Sequence, residues 1–455
     1  MMTRDTSRQK RLMYVDLEEF VPPKHVLRLI KEKVDFSFVY DKAKDLYAAK
    51  GRPSIDPVVL IKMLLVGYLF GISSERQLEQ EVRMNLAYRW FLNLELDDPV
   101  PDHSTLSQNR RRRFRNSSLF EDIFDRVVRL CIEAGLVTGE VPVTDSTHIK
   151  ANASSDRCEM VTVEKTPSEY VKPLDEEVHR LDSQLRAASK DGGKKKRGPK
   201  PKVTQTTPTQ EVVRHSTTDP DSGPLGRPGK PSGYHYLNHM TVDPRAGIIT
   251  DVYVTPGNVN DHLPMPARIA AQKEKFGLDV KWVGADKGYD YLNVHYGLHQ
   301  VGAVPLVPPI ARIKGQTTFG EFVYDETEDV FRCPAGKTLR FAGVDRTDKV
   351  KMYYAKRSDC QACPFAAAFL PKHQLEKTMK RPIHQHLSDI HHRHDGTPIY
   401  RTVQRLRRVW CEGTFALMKA CHNLRNTYKR GIANVQEQCY FSALAVNLKR
   451  YVRTA

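Results

Sequence analysis

Apolar positions along the chain first change period near residue 135. Before that point they recur at helical spacing. The run Val58 to Phe70 is apolar apart from Lys62 and reads as a buried helix. Asp56-Pro57 supplies its start, because Asp56 can cap and Pro57 lacks the N–H that would go unpaired at N1. Gly71 supplies its end. Ser74-Glu-Arg-Gln77 matches a capping box opening a helix over Glu75 to Met84. Tyr88, Trp90, Phe91 and Leu92 read as core, and helical spacing resumes over Phe120 to Ala134.

From residue 136 the pattern becomes that of short strands. Val141 to Asp145, Tyr234 to Val242, Ile248 to Thr255, Val280 to Ala285 and Ala303 to Val307 are strand-like, with a helix over Asn260 to Phe276. The order strand, long insertion, strand, strand, helix, strand, strand predicts a mixed α/β domain around a central sheet. The insertion spans 151–233. Its Pro173 to Ser189 stretch is a helix candidate. Its Gly192 to Lys202 stretch is basic, poor in apolar residues and expected to be flexible. A second interruption, 311–400, offers strands at Phe319 to Val323 and Val330 to Cys333. Val403 to Tyr451 returns to strong helical spacing. The predicted organisation is a helical domain over 1–135 and an α/β domain over 136–455.

Composition narrows the partner. Lys and Arg number 71 against 54 Asp and Glu, a net charge of +17. Such a surplus favours a polyanion such as DNA. The run Arg110, Arg111, Arg112, Arg113 lies in the helical region and could reach phosphates or simply form a solvated face. No apolar run is long enough to span a bilayer, and the N-terminus has no secretory h-region. Eight scattered cysteines suit reduced thiols in a cytoplasmic, nucleoid-associated protein better than a disulfide scaffold.

Three acidic residues carry the candidate chemistry. Asp145 and Asp286 each end a strand-like stretch, and Glu412 lies in a basic amphipathic helix. Phosphodiester cleavage and transesterification add charge to a charged centre. Carboxylates holding Mg2+ (or Mn2+) offset that charge. At about 100° per residue, Arg408 and Lys419 share a helix face with Glu412 and could orient it or grip phosphate. His148 and Lys150 follow Asp145 closely and could support it or touch DNA. Cys333, Cys360 and Cys363 have zinc-like spacing. They want a fourth ligand, which His373 could supply, while Phe369 stands where another cysteine would fit. The histidines at 384, 386, 391, 392 and 394 read as an exposed polar loop.

Five segments resemble the bacterial insertion-sequence transposases of the DDE type. They are Ser54-Ile-Asp-Pro-Val-Val-Leu-Ile-Lys-Met-Leu-Leu, Pro101-Asp-His-Ser-Thr-Leu, Thr144-Asp-Ser-Thr, Ala285-Asp-Lys-Gly-Tyr, and Arg408-x3-Glu412-x6-Lys419 followed by His422-Asn-Leu-Arg425. Arg405 stands where the family's pattern has a tyrosine. The resemblance implies an N-terminal helical domain that reads DNA ends and an RNase H-like catalytic core. It implies Asp145, Asp286 and Glu412 as ligands of Mg2+, and a cysteine-bearing insertion. The expected partners are the terminal inverted repeats, target DNA and a second copy of the chain. The rival readings are an endonuclease that joins nothing and an inactive DNA-binding element protein.

Overall fold

The computed structural model describes residues 16–48, 54–115, 117–165, 170–188, 209–226, 232–310, 322–370 and 373–454. Among the described residues, the regular elements as far as Glu133 are all helices. The first strand opens at Val143.

The caps read from the sequence are made. Asp56 accepts from the Val58 N–H at 2.7 Å, and helix Pro57–Phe70 ends at Gly71 with φ 73°. Ser74 accepts from the Gln77 N–H and opens helix Glu75–Met84. Asn85 opens Leu86–Leu92 in the same way, and Asp102 opens His103–Gln108. Pro57–Phe70 has no polar face because it is surrounded. Even Lys62 is buried, its ammonium over the rings of Phe36 and Phe91, and burial lowers its pKa to about 8. Among the described residues no single helix is long and apolar enough to cross a membrane.

The central sheet is built from β1 (Val143–Lys150), β4 (Gly223–Leu225), β5 (Gly233–Asp243), β6 (Ile248–Pro256), β7 (Trp282–Gly284) and β8 (Val304–Leu306). β5 pairs antiparallel with β4, β6 and β1. β1 then pairs parallel with β7, and β7 parallel with β8. A parallel pair needs a crossover, and helix Leu292–Gln300 provides it. The mixed sheet behind a helical region agrees with the expected RNase H-like core.

The change of period near 135 is not a break in the core. One hydrophobic cluster runs from Leu17 to Val452. The C-terminal helix Ile432–Thr454 joins its parts. Phe441 stacks on Tyr68 at 5.4 Å, while Asn447 exchanges hydrogen bonds with the backbone of Ile249 on β6.

The first insertion contains an antiparallel hairpin, β2 (Cys158–Lys165) with β3 (Thr209–Ser216), and the expected helix, Val171–Ala188. The basic Gly192 to Lys202 stretch lies outside the described residues. The second insertion holds its own antiparallel sheet: β9 (Val323–Asp325), β10 (Val330–Arg332), β11 (Thr338–Asp345), β12 (Val350–Ala355) and β13 (Thr378–Pro382). Phe322, Phe331, Leu339, Tyr353 and Met379 form a separate small core there.

Candidate active site

Asp145 is the third residue of β1, so the strand continues past it rather than ending on it. Asp286 lies two residues beyond β7, the parallel neighbour of β1. Strand alternation puts Asp145, Thr147 and Ile149 on one face. Helix Pro398–Arg407 and helix Gly413–Cys421 cover that face, joined by a π-turn over Arg408–Glu412.

The cover is fixed by specific contacts. Gln404 donates to the backbone oxygens of Ala285 and Leu306, at 2.9 and 2.6 Å. Those are the ends of β7 and β8, so Gln404 sets the helix above the strand end that carries Asp286. Gly284 lets it come close, because a Cβ there would stand 2.4 Å from Val403 Cγ1. Lys419 donates to Thr147 Oγ1 at 2.6 Å.

Arg407 is the residue that sequence reasoning missed. Its guanidinium donates to Asp145 Oδ2 at 2.8 Å and to Glu412 Oε1 at 3.3 Å. Arg408, expected either to hold DNA phosphate or to orient Glu412, is exposed. The π-turn explains the exchange. In an α-helix, residues five apart point about 140° from each other. A π-turn closes i to i+5, so Arg407 and Glu412 meet. π-turns inside helices are frequent at functional sites.

Asp145 is in an unusual electrostatic state. Burial raises its pKa to about 6, and the negative charges of Asp286 and Asp261 add to the rise. The Ser146 N–H, which it accepts, and the Arg407 charge oppose it. Asp261 is a second residue the sequence reading passed over. Its Oδ1 is buried without a hydrogen-bond partner. Asp286 Oδ1 accepts from the Gly288 N–H at 2.8 Å. A Cβ on Gly288 would stand 3.0 Å from that same oxygen, so the glycine admits the carboxylate. Tyr289 is buried beside the group, and burial together with the Asp145 charge pushes its hydroxyl pKa well up. The Asp286 and Asp261 charges thus bear on Asp145, and Asp261 keeps an unsatisfied buried oxygen, while Glu412 stands at the rim, 60% exposed, and is tied to the group through Arg407.

Several other candidates fall differently. His148 lies on the opposite face of β1 from Asp145, edge-on to His235 at 6.0 Å, so it does not support that carboxylate. Lys150 is exposed at the end of the strand. Arg110 points inward to Glu75 and Glu437 and is 8% exposed, which ties the helical region to the C-terminal helix instead of freeing a charge for DNA. Arg113 packs on Tyr47 and bonds Ser54 and Asn109. Arg111 and Arg112 are exposed. A groove of about 1370 Å3 runs between the helical region and the core. Arg76, Arg111, Arg115, Lys419, Arg425 and Arg430 are among its lining residues.

Cys333, Cys360 and Cys363 line one apolar cavity with Phe369. Backbone N–H groups of Lys337 and Lys377 donate to the sulfurs of Cys333 and Cys360, at 3.3 and 3.4 Å. His373 is exposed and is not among that cavity's lining residues. The histidine-rich stretch is not the exposed loop expected. Helix Gln385–His392 packs against helix Leu292–Gln300, which buries His391 against His295.

Two family resemblances bear on this arrangement. A family described as a transposase domain (DUF772) matches residues 15–112, the helical region. A family described as a transposase DDE domain matches residues 332–452, from β10 through Glu412 to the C-terminal helix. Asp145 and Asp286 lie outside both matched segments. No curated protein matches the chain. With these two segments in this order around an RNase H-like core, the chain is similar to the DNA transposases of the insertion-sequence DDE type.

Proposed function

We propose that the protein cleaves DNA at the ends of its insertion sequence and joins the freed 3′-hydroxyls to target DNA. Asp145, Asp286 and Glu412 are the catalytic residues in this reading, with Mg2+ or Mn2+ as the cofactor. The observation that supports it is the Arg407 guanidinium, which bonds both Asp145 and Glu412, while the Asp286 charge bears on Asp145 from two residues beyond the neighbouring strand β7.

A divalent ion held by these carboxylates would offset charge on the attacking and leaving oxygens. The chain's own groups do the positioning. Gln404 and Gly284 hold the Glu412 helix against the sheet. Asp145, with its pKa near 6, must be ionised to act as a ligand. Arg407 balances charge between Asp145 and Glu412 and can turn to a phosphate once a metal takes those carboxylates. The basic groove leads from the helical region to Lys419, whose partner Thr147 is two residues from Asp145. This supports a path for duplex DNA, gripped through its phosphates. Holding two ends for joint insertion calls for a homodimer on DNA.

The test is incubation of the protein with duplexes bearing the element's ends, a supercoiled target and Mg2+. Cleavage and joining by wild type, with neither from Glu412→Gln, is the expected outcome. Cleavage without joining would leave an endonuclease. Specific end binding without reaction would leave a binding protein.

A further inference from the structure

Outside the acidic site, three potential metal ligands converge. Asp290 follows the Lys287–Tyr289 turn that begins at Asp286. His295 lies on helix Leu292–Gln300, and His392 ends helix Gln385–His392. His295 Nε2 and His392 Nε2 each stand 2.9 Å from Asp290 Oδ1. One ligand atom from each of the three lies within 4.8 Å of the others.

The atoms behind these ligands are also engaged. His392 Nδ1 faces Asp395 Oδ2 at 3.0 Å, and His295 Nδ1 faces His391 Nδ1 at 2.9 Å. Asp290 Oδ2 accepts from the Ile310 N–H at 2.7 Å. Such outer partners are what fix the tautomer and aim of metal-binding imidazoles. Without a metal, both Nε2 atoms need a proton to donate to one carboxylate oxygen. A cation at the centre replaces those protons. Tetrahedral zinc, with bonds of about 2.0–2.2 Å, separates its ligands by roughly 3.4 Å. The present 2.9 Å contacts need to open by only about half an ångström to reach that geometry.

We propose that Asp290, His295 and His392 bind a zinc-class transition metal that clamps the Asp286 turn to helix Gln385–His392. Imidazole donors suit such an ion better than Mg2+. The site is structural in this reading. It holds the loop four residues after Asp286 against the segment that leads into the Glu412 helix.

The test is a Co2+ titration of metal-stripped, full-length protein in excess Mg2+, which fills the hard-oxygen site. Three variants accompany it: His392→Gln, Asp395→Asn, and Cys360→Ser with Cys363→Ser. We expect one equivalent of Co2+ with tetrahedral d–d bands and no thiolate charge-transfer band. Binding should persist in the cysteine variant. It should fall at least tenfold in His392→Gln and 10–100-fold in Asp395→Asn. Zn2+ should displace the Co2+. Asp395 touches the site only through His392 and is part-exposed, so its variant reports binding even if His392→Gln folds poorly. Failure to bind, a thiolate band lost with the cysteines, or full affinity in both His392→Gln and Asp395→Asn would overturn the assignment.

Discussion

Asp145→Asn should make the metal-free protein more stable while abolishing its reaction. The carboxyl pKa rises from an ordinary 3.8 to about 6, chiefly because the group is buried. At about 1.4 kcal/mol per pKa unit, ionising it in the fold costs roughly 3 kcal/mol. The sign follows from linkage. A raised pKa means that the folded state holds the proton more tightly. That advantage is full below 3.8 and is lost as pH rises through 6. Asparagine carries no charge, so it removes the cost at neutral pH. The opposing attraction of Arg407 is already contained in that net shift, so the expectation is a gain of up to about 3 kcal/mol at pH 8. Urea unfolding in EDTA, for both proteins from pH 4.5 to 8, measures it. The gap should widen between pH 4.5 and 7 and then level off. Adding Mg2+ at about 100 times its Kd should stabilise wild type by roughly 2.7 kcal/mol and the variant far less. A variant no more stable than wild type at pH 8, or a gap flat across that range, would refute the argument that Asp145 is held at an energetic cost.

The same protonation governs catalysis: metal-dependent end cleavage should rise with pH through about 6, tenfold per pH unit below it, in single-turnover assays at fixed Mg2+. Arg407→Ala should lower end cleavage by at least tenfold and shift the Mg2+ dependence, whereas Arg408→Ala should leave the Mg2+ dependence unchanged. Gly284→Ala should cost about 1–3 kcal/mol in unfolding and lower cleavage, because its Cβ displaces Val403 and with it the helix over Asp286. Glu437→Gln should destabilise the fold by about 3–5 kcal/mol at neutral pH, since it breaks a buried pair that Arg110 and Lys429 share; a loss below 1 kcal/mol in urea unfolding would deny that this network joins the helical region to the C-terminal helix.

How much of this was legible in the sequence depended on the range of the signal. Caps are local, so Asp56-Pro57, Ser74 and Gly71 announced their helices correctly. Strand alternation is also local. Applied to β1, it separates His148 from Asp145, a step that needs the register and not merely the closeness of the two residues in sequence. The order of strands could be read, but the continuity of the core could not. Period changes at 135, yet the C-terminal helix packs on both sides of that point. Of the two strands expected in the second insertion, Val330 to Cys333 corresponds to β10 in a sheet of five, while residues 319–321 of the other lie outside the described residues; short strands with half-exposed faces carry little alternation.

The active site marks the boundary of sequence reasoning most sharply. Each carboxylate was a candidate from its setting, although Asp145 lies within β1 and not at its end. The basic partner could not, because helical arithmetic assumes a uniform 100° per residue. A π-turn between Arg407 and Glu412 adds a residue to the turn and rotates everything before it. Arg407 comes round to the carboxylates while Arg408 is left exposed. A second π-turn, over Asn109–Arg113, accompanies the inward course of Arg110 to Glu75 and Glu437. In both places a run of arginines contains one member turned inward among exposed ones. Composition sees equal charges there. The chain distinguishes them by a local change of pitch, which places one guanidinium at the candidate catalytic carboxylates and another in the contact between the helical region and the core.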